Sequence, residues 1–391
     1  MASFAIQPVH RFHGQSQPVR RPKEFTCFSY DGTHTLHLDD RSLRWYYPPQ
    51  EPNADLSRGF ETFDKHDDSG DEHLDSLLEA ITAHEQTTQA KIDAQVVTWR
   101  GMMTKVIMAT PYDDRDGYIE ENHEYKAASR REQEARQNRP PPRPHPDRPW
   151  FPPDVMSFWG YKFETLSTLP RPWGEMTRDQ IEGRGAETVS NKAQYCSVVR
   201  TGIGSNILCL GGEVDAVWDS KPAVPGKPIR WVELKTSQDI QSPRDLEFFE
   251  RKLLKFWIQS FLLGVPTIVV GFRSRHGRLV RLEEISTETI PGNVKMRAAS
   301  SNSPVPWDGD TCINFAAAFM DWLRATMVSP DSDADNDGVW RIRRKPGSPH
   351  IEVFRVEETG HGRILPDTFL NWRIKLALGA DKTAEVADAS Q

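Results

Sequence analysis

Four charged residues stand inside two short apolar runs near the middle of the chain: Glu213 and Asp215 in GGEVDAVW, then Glu233 and Lys235 in RWVELKTSQ. Side chains alternate faces along a strand, so Glu213, Asp215 and Val217 are expected to share one face, and Ile229, Trp231, Glu233 and Lys235 one face of the next strand. The connector DSKPAVPGKP has the proline and glycine content of a loop. If the two strands pair, three carboxylates and one ammonium converge. Carboxylates that close cannot all stay ionised without a counter-charge. A hard divalent ion supplies it: carboxylate oxygens suit Mg2+ or Mn2+, and Mg2+ keeps several waters and takes up substrate phosphate oxygens. The matching chemistry is hydrolysis at phosphorus, in which the ion polarises a phosphoryl oxygen and lowers the pKa of bound water. Lys235 would orient that water or offset charge developing on the phosphorus. An E-x-K on a strand is more often a solvated face, so the surrounding residues have to decide.

Three further segments bear on it. FWGYKFETL supplies Glu164, although its plain structural reading is an amphipathic strand end with Trp159 and Phe163 in the core. In VTWRGMMTK, read as a strand, Arg100 sits among apolar residues, where a buried arginine needs an anionic partner, either a protein carboxylate or a substrate phosphate. Residues 243–264 form a punctuated helix, entered at Ser242-Pro243 and closed at Gly264. Phe249, Leu253, Trp257 and Phe261 mark its core side, while Lys252, Lys255 and Gln259 lie along one stripe. Gln259 is the member best suited to a phosphate or a metal-bound water. RTGIGSN lacks both the Walker lysine and the third Rossmann glycine, and neither Gly-x-Ser-x-Gly nor His-Glu-x-x-His occurs, so nucleophilic-serine and zinc-hydrolase readings lose their motifs.

The elements that must position these residues read as a mixed α/β chain. FTCFSY, HTLHLDD and LRWYYPPQE suggest a small antiparallel sheet in an N-terminal β segment over 1–70, and HLDSLLEAITAHEQTTQAKI has helical spacing. TIVVGFRSRHGRLVRLEEI reads as a hairpin turning at His276 and Gly277. NFAAAFMDWLRATMV is a helix with Phe315, Phe319, Trp322 and Leu323 on one face, and VWRIRRKPG and IEVFRVEE are strand candidates. A basic, proline-rich loop is expected over 126–149, an acidic loop over 329–338 and a frayed tail over 380–391. Asp333, Asp335, Asp337 and Gly338 match the start of a calcium loop, but its twelfth position is Arg344 instead of glutamate, which rejects calcium. The 391 residues, 37% hydrophobic, suffice for one large domain. No apolar run approaches a membrane span, and the first residues lack a secretory apolar core, so an intracellular setting and no membrane partner are expected. Four cysteines without C-x-x-C spacing support neither zinc nor a disulfide framework. A net charge of −7 excludes nucleic-acid binding by bulk charge, so any such contact needs a local basic groove.

The acid, spacer, acid-x-lysine pattern resembles the core of the PD-(D/E)XK nucleases. Taken in order, TWRGMMTK, WGYKFE, SVVRTGIGS, GGEVDAVW, WVELKTS, KLLKFWIQSFLLG and VGFR resemble the decapping nucleases of the DXO type from about Trp99 to Arg273, and LHLDDRSLRWYYPP resembles that family's N-terminal segment. The layout is most similar to its fungal nuclear branch. The resemblance implies mixed β-sheets flanked by helices, with an active site in a pocket between sheets holding one or two Mg2+ or Mn2+ ions. It implies Glu164, Glu213, Asp215, Glu233 and the Leu234 carbonyl as metal ligands, and gives Arg100, Lys235 and Gln259 to the RNA 5′ end and scissile phosphate. Glu233, Lys235, Asp215 and Gln259 would carry catalysis. It also implies removal of pyrophosphate, incomplete caps and NAD caps from RNA 5′ ends, some 5′-3′ exonuclease activity, nuclear location and an Xrn-type 5′-3′ exoribonuclease as partner. The alternatives are a protein that mainly stabilises and stimulates such an exoribonuclease, and a DNA endonuclease on the same core; the latter does not account for WGYKFE or TWRG.

Overall fold

The structure, a computed structural model, describes residues 1–67, 73–108, 110–112, 150–224, 227–327, 339–345, 347–356 and 364–388. The loops expected over 126–149 and 329–338, the latter including the rejected calcium motif, lie outside the described residues, as do the side chains of 380–391. The strands are β1 (Ala2–Ala5), β2 (Val19–Tyr30), β3 (Leu36–His37), β4 (Trp45–Tyr46), β5 (Val96–Trp99), β6 (Thr168–Leu169) and β7 (Gln194–Ile203). They continue with β8 (Asn206–Glu213), β9 (Ala216–Val217), β10 (Trp231–Gln238), β11 (Thr267–Arg273), β12 (Leu279–Ser286), β13 (Trp340–Arg343) and β14 (His350–Arg355). They form a six-stranded sheet ordered β12-β11-β10-β9-β4-β6, a five-stranded sheet ordered β3-β2-β7-β8-β5, and a three-stranded sheet ordered β1-β14-β13.

The Pro243–Leu263 helix joins the two larger sheets. Ser242 caps it by accepting from the Asp245 N–H, Pro243 begins it and Gly264, at φ +72°, ends it. Phe249, Leu253, Trp257 and Ile258 enter a core shared with Val199, Leu208 and Leu210 of the five-stranded sheet and Ile268 and Val270 of β11. Each fully buried side chain of this kind contributes about 1.5–3 kcal/mol. Phe261 is only half-buried against that core.

The other face of the six-stranded sheet carries the Pro153–Ser167 helix, where a strand end was expected. Phe158, Trp159, Lys162, Phe163 and Leu166 recur at helical spacing, Pro153 opens the helix, and Trp159 and Phe163 pack on Val232, Leu234 and Val269. The approach is close because Gly271 has no side chain: a Cβ there would meet the Phe163 ring at 2.7 Å. A third helix, Asp75–Thr88, covers the outer face of the five-stranded sheet through Leu77, Leu78 and Ile81. The predicted hairpin is β11–β12, with Gly277 at φ +73°. The segments HTLHLDD and LRWYYPPQE hold only the two-residue strands β3 and β4. All four cysteines are free, and among the described residues no helix is long and apolar enough to cross a membrane.

Gly271→Ala must push the Pro153–Ser167 helix off the sheet. A loss of about 1–3 kcal/mol is expected, the usual cost of overpacking, read as a lower midpoint in urea unfolding.

Candidate active site

Glu233 lies on β10 with its side chain 0% exposed, facing the same side as Trp231. Two cations hold it. Lys235, two residues along the same strand face, places Nζ 2.7 Å from Glu233 Oε1, and Arg100 places Nη1 3.1 Å from Oε2. Burial alone would raise the Glu233 pKa, yet the attraction of Arg100 and Lys235 wins and holds it below the ordinary carboxylate value. Burial acts to lower the pKa of both cations, but the same attraction outweighs it and raises them.

Arg100 comes from the other sheet. β5 runs parallel to β8, with Trp99 opposite Gly211, and the strand ends there, so Arg100 opens a helical turn instead of sitting mid-strand as expected. The two glycines before Glu213 allow this approach: a Cβ on Gly212 would lie 2.9 Å from Arg100 Cβ and 3.0 Å from Leu263 Cδ1.

GGEVDAVW is not one strand. β8 ends at Glu213, Val214 donates its N–H to the Tyr195 carbonyl, and β9 starts at Ala216 in the other sheet, pairing Ala216 with Val232 and Val217 with Trp231. The strict alternation expected for Glu213, Asp215 and Val217 fails because the chain crosses between sheets at Val214–Asp215. Asp215 instead accepts the Leu234 N–H at 2.6 Å, a donor that the two-residue β9 is too short to pair. In a strand a residue's N–H and C=O point to the same side, so the Leu234 carbonyl also faces the acids.

Glu164, on the Pro153–Ser167 helix, lines a cleft of about 160 Å3 with Glu213, Asp215, Arg44, Tyr161 and Tyr195. Burial, then the negative charges of Asp215 and Glu213, pushes the Glu164 pKa well up. Burial also raises Glu213, and burial with the Glu233 charge pushes Asp215 up to about 7. Oxygen donors held up this way suit a divalent cation, which would replace the protons they retain. Among the described residues, however, no three acidic, His or Cys side chains are gathered into a ready-made ion cage, since Glu233 is turned to its cations and Asp215 to Leu234. The Gln259 side chain makes no hydrogen bond among the described residues, and Gln259 lies one turn before Leu263, which packs toward Arg100. Sequence reasoning missed Arg44, although SLRWYY shows the same signal as Arg100, an arginine beside apolar residues.

Two outcomes follow from this geometry. Because Asp215 is raised from 3.8 to about 7, the folded state binds the extra proton between those values, so ion-free protein loses stability as pH rises through that window. The slope should not exceed about 1.4 kcal/mol per pH unit for this one proton, and Asp215→Asn should flatten it in urea unfolding at pH 5, 6, 7 and 8. Gly212→Ala displaces Arg100 and leaves Glu233 with one cation; a loss of about 3 kcal/mol or more is expected, relieved in part by adding Glu233→Gln.

A family model described as RAI1 like PD-(D/E)XK nuclease matches residues 20–370. The chain is 59% identical over 394 residues to the decapping nuclease RAI1 of Gibberella zeae, covering 97% of this chain and 98% of that relative. It is 57% identical over 392 residues to the decapping nuclease RAI1 of Neurospora crassa, covering 96% and 88%. Among solved structures, Candida albicans Rai1 in complex with pU5-Mn2+ is similar at a TM-score of 0.81 and 29% identity, over 96% of this chain and 100% of that one. Scheffersomyces stipitis Rai1 in complex with (3′-NADP)+ and calcium ion gives 0.80 and 28%, with the same coverage. Residues 20–370, which the family model matches, include Arg100, Glu164, both acid-bearing strands and Lys235, and the chain belongs to the RAI1-like PD-(D/E)XK nuclease family.

Proposed function

We propose that this protein is a divalent-ion-dependent hydrolase of RNA 5′ ends, an RNA decapping nuclease and pyrophosphohydrolase. The observation that carries this reading is Glu233, buried and ionised between Arg100 and Lys235, beside Glu164, Glu213 and Asp215, which line one cleft. The two fungal relatives named above are decapping nucleases, and the Candida albicans Rai1 structure holds both a short RNA and Mn2+.

Glu164, Glu213, Asp215, Glu233 and the Leu234 carbonyl would hold Mg2+ or Mn2+, which supplies polarisation of the phosphoryl oxygen and a more acidic water. The chain's own part is electrostatic and positional. Lys235 and Arg100 keep their protons, so they present fixed positive charge and donors to phosphate oxygens next to the acids. Glu233 stays ionised, so Lys235 remains held along the strand face against it. The Asp215 contact fixes the Leu234 peptide plane and with it the direction of its carbonyl. Gln259, free of protein partners among the described residues, is left to reach a phosphate or the attacking water.

Triphosphate ends, incompletely methylated caps and NAD caps share one step, water attack on a phosphorus near the 5′ end, and so fit one site. A purely non-catalytic role beside an exoribonuclease is not favoured, because it gives no reason to gather Glu164, Glu213 and Asp215 in one cleft beside the buried Glu233 at such electrostatic cost. Nuclear location, and partnership with an Xrn-type 5′-3′ exoribonuclease, rest on the resemblance to the fungal nuclear branch.

The test incubates the protein in Mn2+ or Mg2+ with triphosphate, unmethylated-cap, methylated-cap, NAD-capped and monophosphate RNAs, beside a Glu233→Gln, Asp215→Asn double variant. Pyrophosphate or cap release should fall by at least about a hundredfold in the variant. Equal product from both proteins would sink the site assignment. No product from the unaltered protein, with strong stimulation of a 5′-3′ exoribonuclease, would move the function to the partner.

A further inference from the structure

Arg44 lines the acid cleft but holds no acid. Its Nε donates to Thr168 Oγ1 at 2.7 Å, and that hydroxyl donates to the Glu164 carbonyl at 2.8 Å. Among the described residues its guanidinium makes no ion pair. Burial holds its pKa below the usual guanidinium value, with Glu187 and Glu164 attracting it only from a distance. The other two cations of the site are already committed, both to Glu233.

The strand order sets where Arg44 stands. β9 lies between β10 and β4 in the sheet, and Arg44 immediately precedes β4, whose Trp45 pairs with Val217 of β9. Two strand spacings separate β4 from β10, about 10 Å. Asp215, next to β9, therefore lies between Glu233 and Lys235 on one side and Arg44 on the other. A phosphorus reacting over the acids would have the paired cations on one flank and an unpaired guanidinium on the other. Adjoining walls come from the neutral Ser42, Thr165, Thr188, Ser190 and Gln194 and from the exposed Glu187, which attracts Arg44 without forming an ion pair with it among the described residues.

We propose that Arg44 binds a phosphate adjoining the scissile one, so that the substrate's phosphate chain is gripped on both sides of the acids. This rests on the reading of the cleft as a site for RNA 5′ ends. The Thr168 bond fixes the guanidinium plane and leaves both terminal NH2 groups as an open fork, the geometry that matches phosphate oxygens. Little rotamer freedom then remains to be lost on binding.

The experiment measures KM and kcat on triphosphate-ended RNA in Mn2+ for the unaltered protein, Arg44→Met and Arg44→Lys, with Mn2+ affinity by calorimetry and RNA affinity by fluorescence anisotropy in Ca2+. Loss of a charged hydrogen-bond donor should raise KM about tenfold or more in R44M while kcat stays within about threefold. R44K, which keeps the charge without the fork, should fall between, and Mn2+ affinity should stay within about twofold. An unchanged KM in R44M overturns the proposal. So does a parallel loss of Mn2+ affinity, which would make Arg44 a prop for Glu164 through Thr168. Should R44M fold poorly, R44K carries the test alone, and a KM equal to that of the unaltered protein overturns the proposal. If the unaltered protein releases no product, the hydrolase reading falls, while the anisotropy arm still reads Arg44: weaker RNA binding by R44M supports its phosphate contact and equal binding overturns it.

Discussion

A carboxylate closed off from solvent in the middle of a strand must be neutral or paired, and Glu233 is paired twice. Its two partners come from different places. Lys235 is local, a consequence of the two-residue period of β10, whereas Arg100 arrives from the five-stranded sheet at the end of β5. The pair is therefore also a tie between the two large sheets. Taking away either cation leaves a buried charge without compensation, so the closeness of the sheets and the ionisation of Glu233 depend on each other. That coupling sets the rest of the electrostatics. Burial first, and then the charge that Glu233 keeps, pushes the Asp215 pKa up to about 7, and burial also raises Glu213 and, beside Asp215 and Glu213, Glu164.

The break at Val214–Asp215 is what lets one short peptide serve both sheets. Had β8 continued as a regular strand, Glu213 and Asp215 would have stayed on the five-stranded sheet. Instead Glu213 ends one sheet, Asp215 reaches the Leu234 amide of the other, and Val214 and Val217 enter the common core. Two residues of β9 suffice to fix the register with β10 and are too few to pair Leu234. The missing rungs of the ladder expose the peptide groups that the site uses.

Much of this was legible in the sequence, and the parts that were not have physical causes. The charged residues themselves were visible because acids and a lysine inside apolar strand runs are costly anywhere but a site. The Pro243–Leu263 helix was visible because its caps are chemical, Ser-Pro at one end and glycine at the other. WGYKFE alone fits a strand end, although Phe158, Trp159, Lys162 and Phe163 follow a helical period after Pro153; six residues are too few to separate the two periods, and the longer window settles it. Crossing between sheets at Asp215 left no local signature, since it is decided by a partner 19 residues away. The turn at Arg100 is likewise set from outside, by the space over Gly212.

Arg44 and Arg100 show why a residue's surroundings decide more than its motif. Both are arginines beside tryptophan in apolar stretches, and both end near the same acids. Arg100 is satisfied within the protein; Arg44 is held by a single hydroxyl. A guanidinium is expensive to desolvate, and a fold that needed only structural support at this point could use a neutral side chain on Thr168 instead. In a chain with a net charge of −7, attraction from the whole surface cannot draw in a polyanion, so capture has to come from a few cations aimed at the reacting phosphates. A cation whose charge is partly offset by Glu233 can orient a phosphate but attracts one less strongly. An unpaired one supplies that attraction, and the position of Arg44 on the far side of β9 puts it where a second phosphate of the same chain would lie.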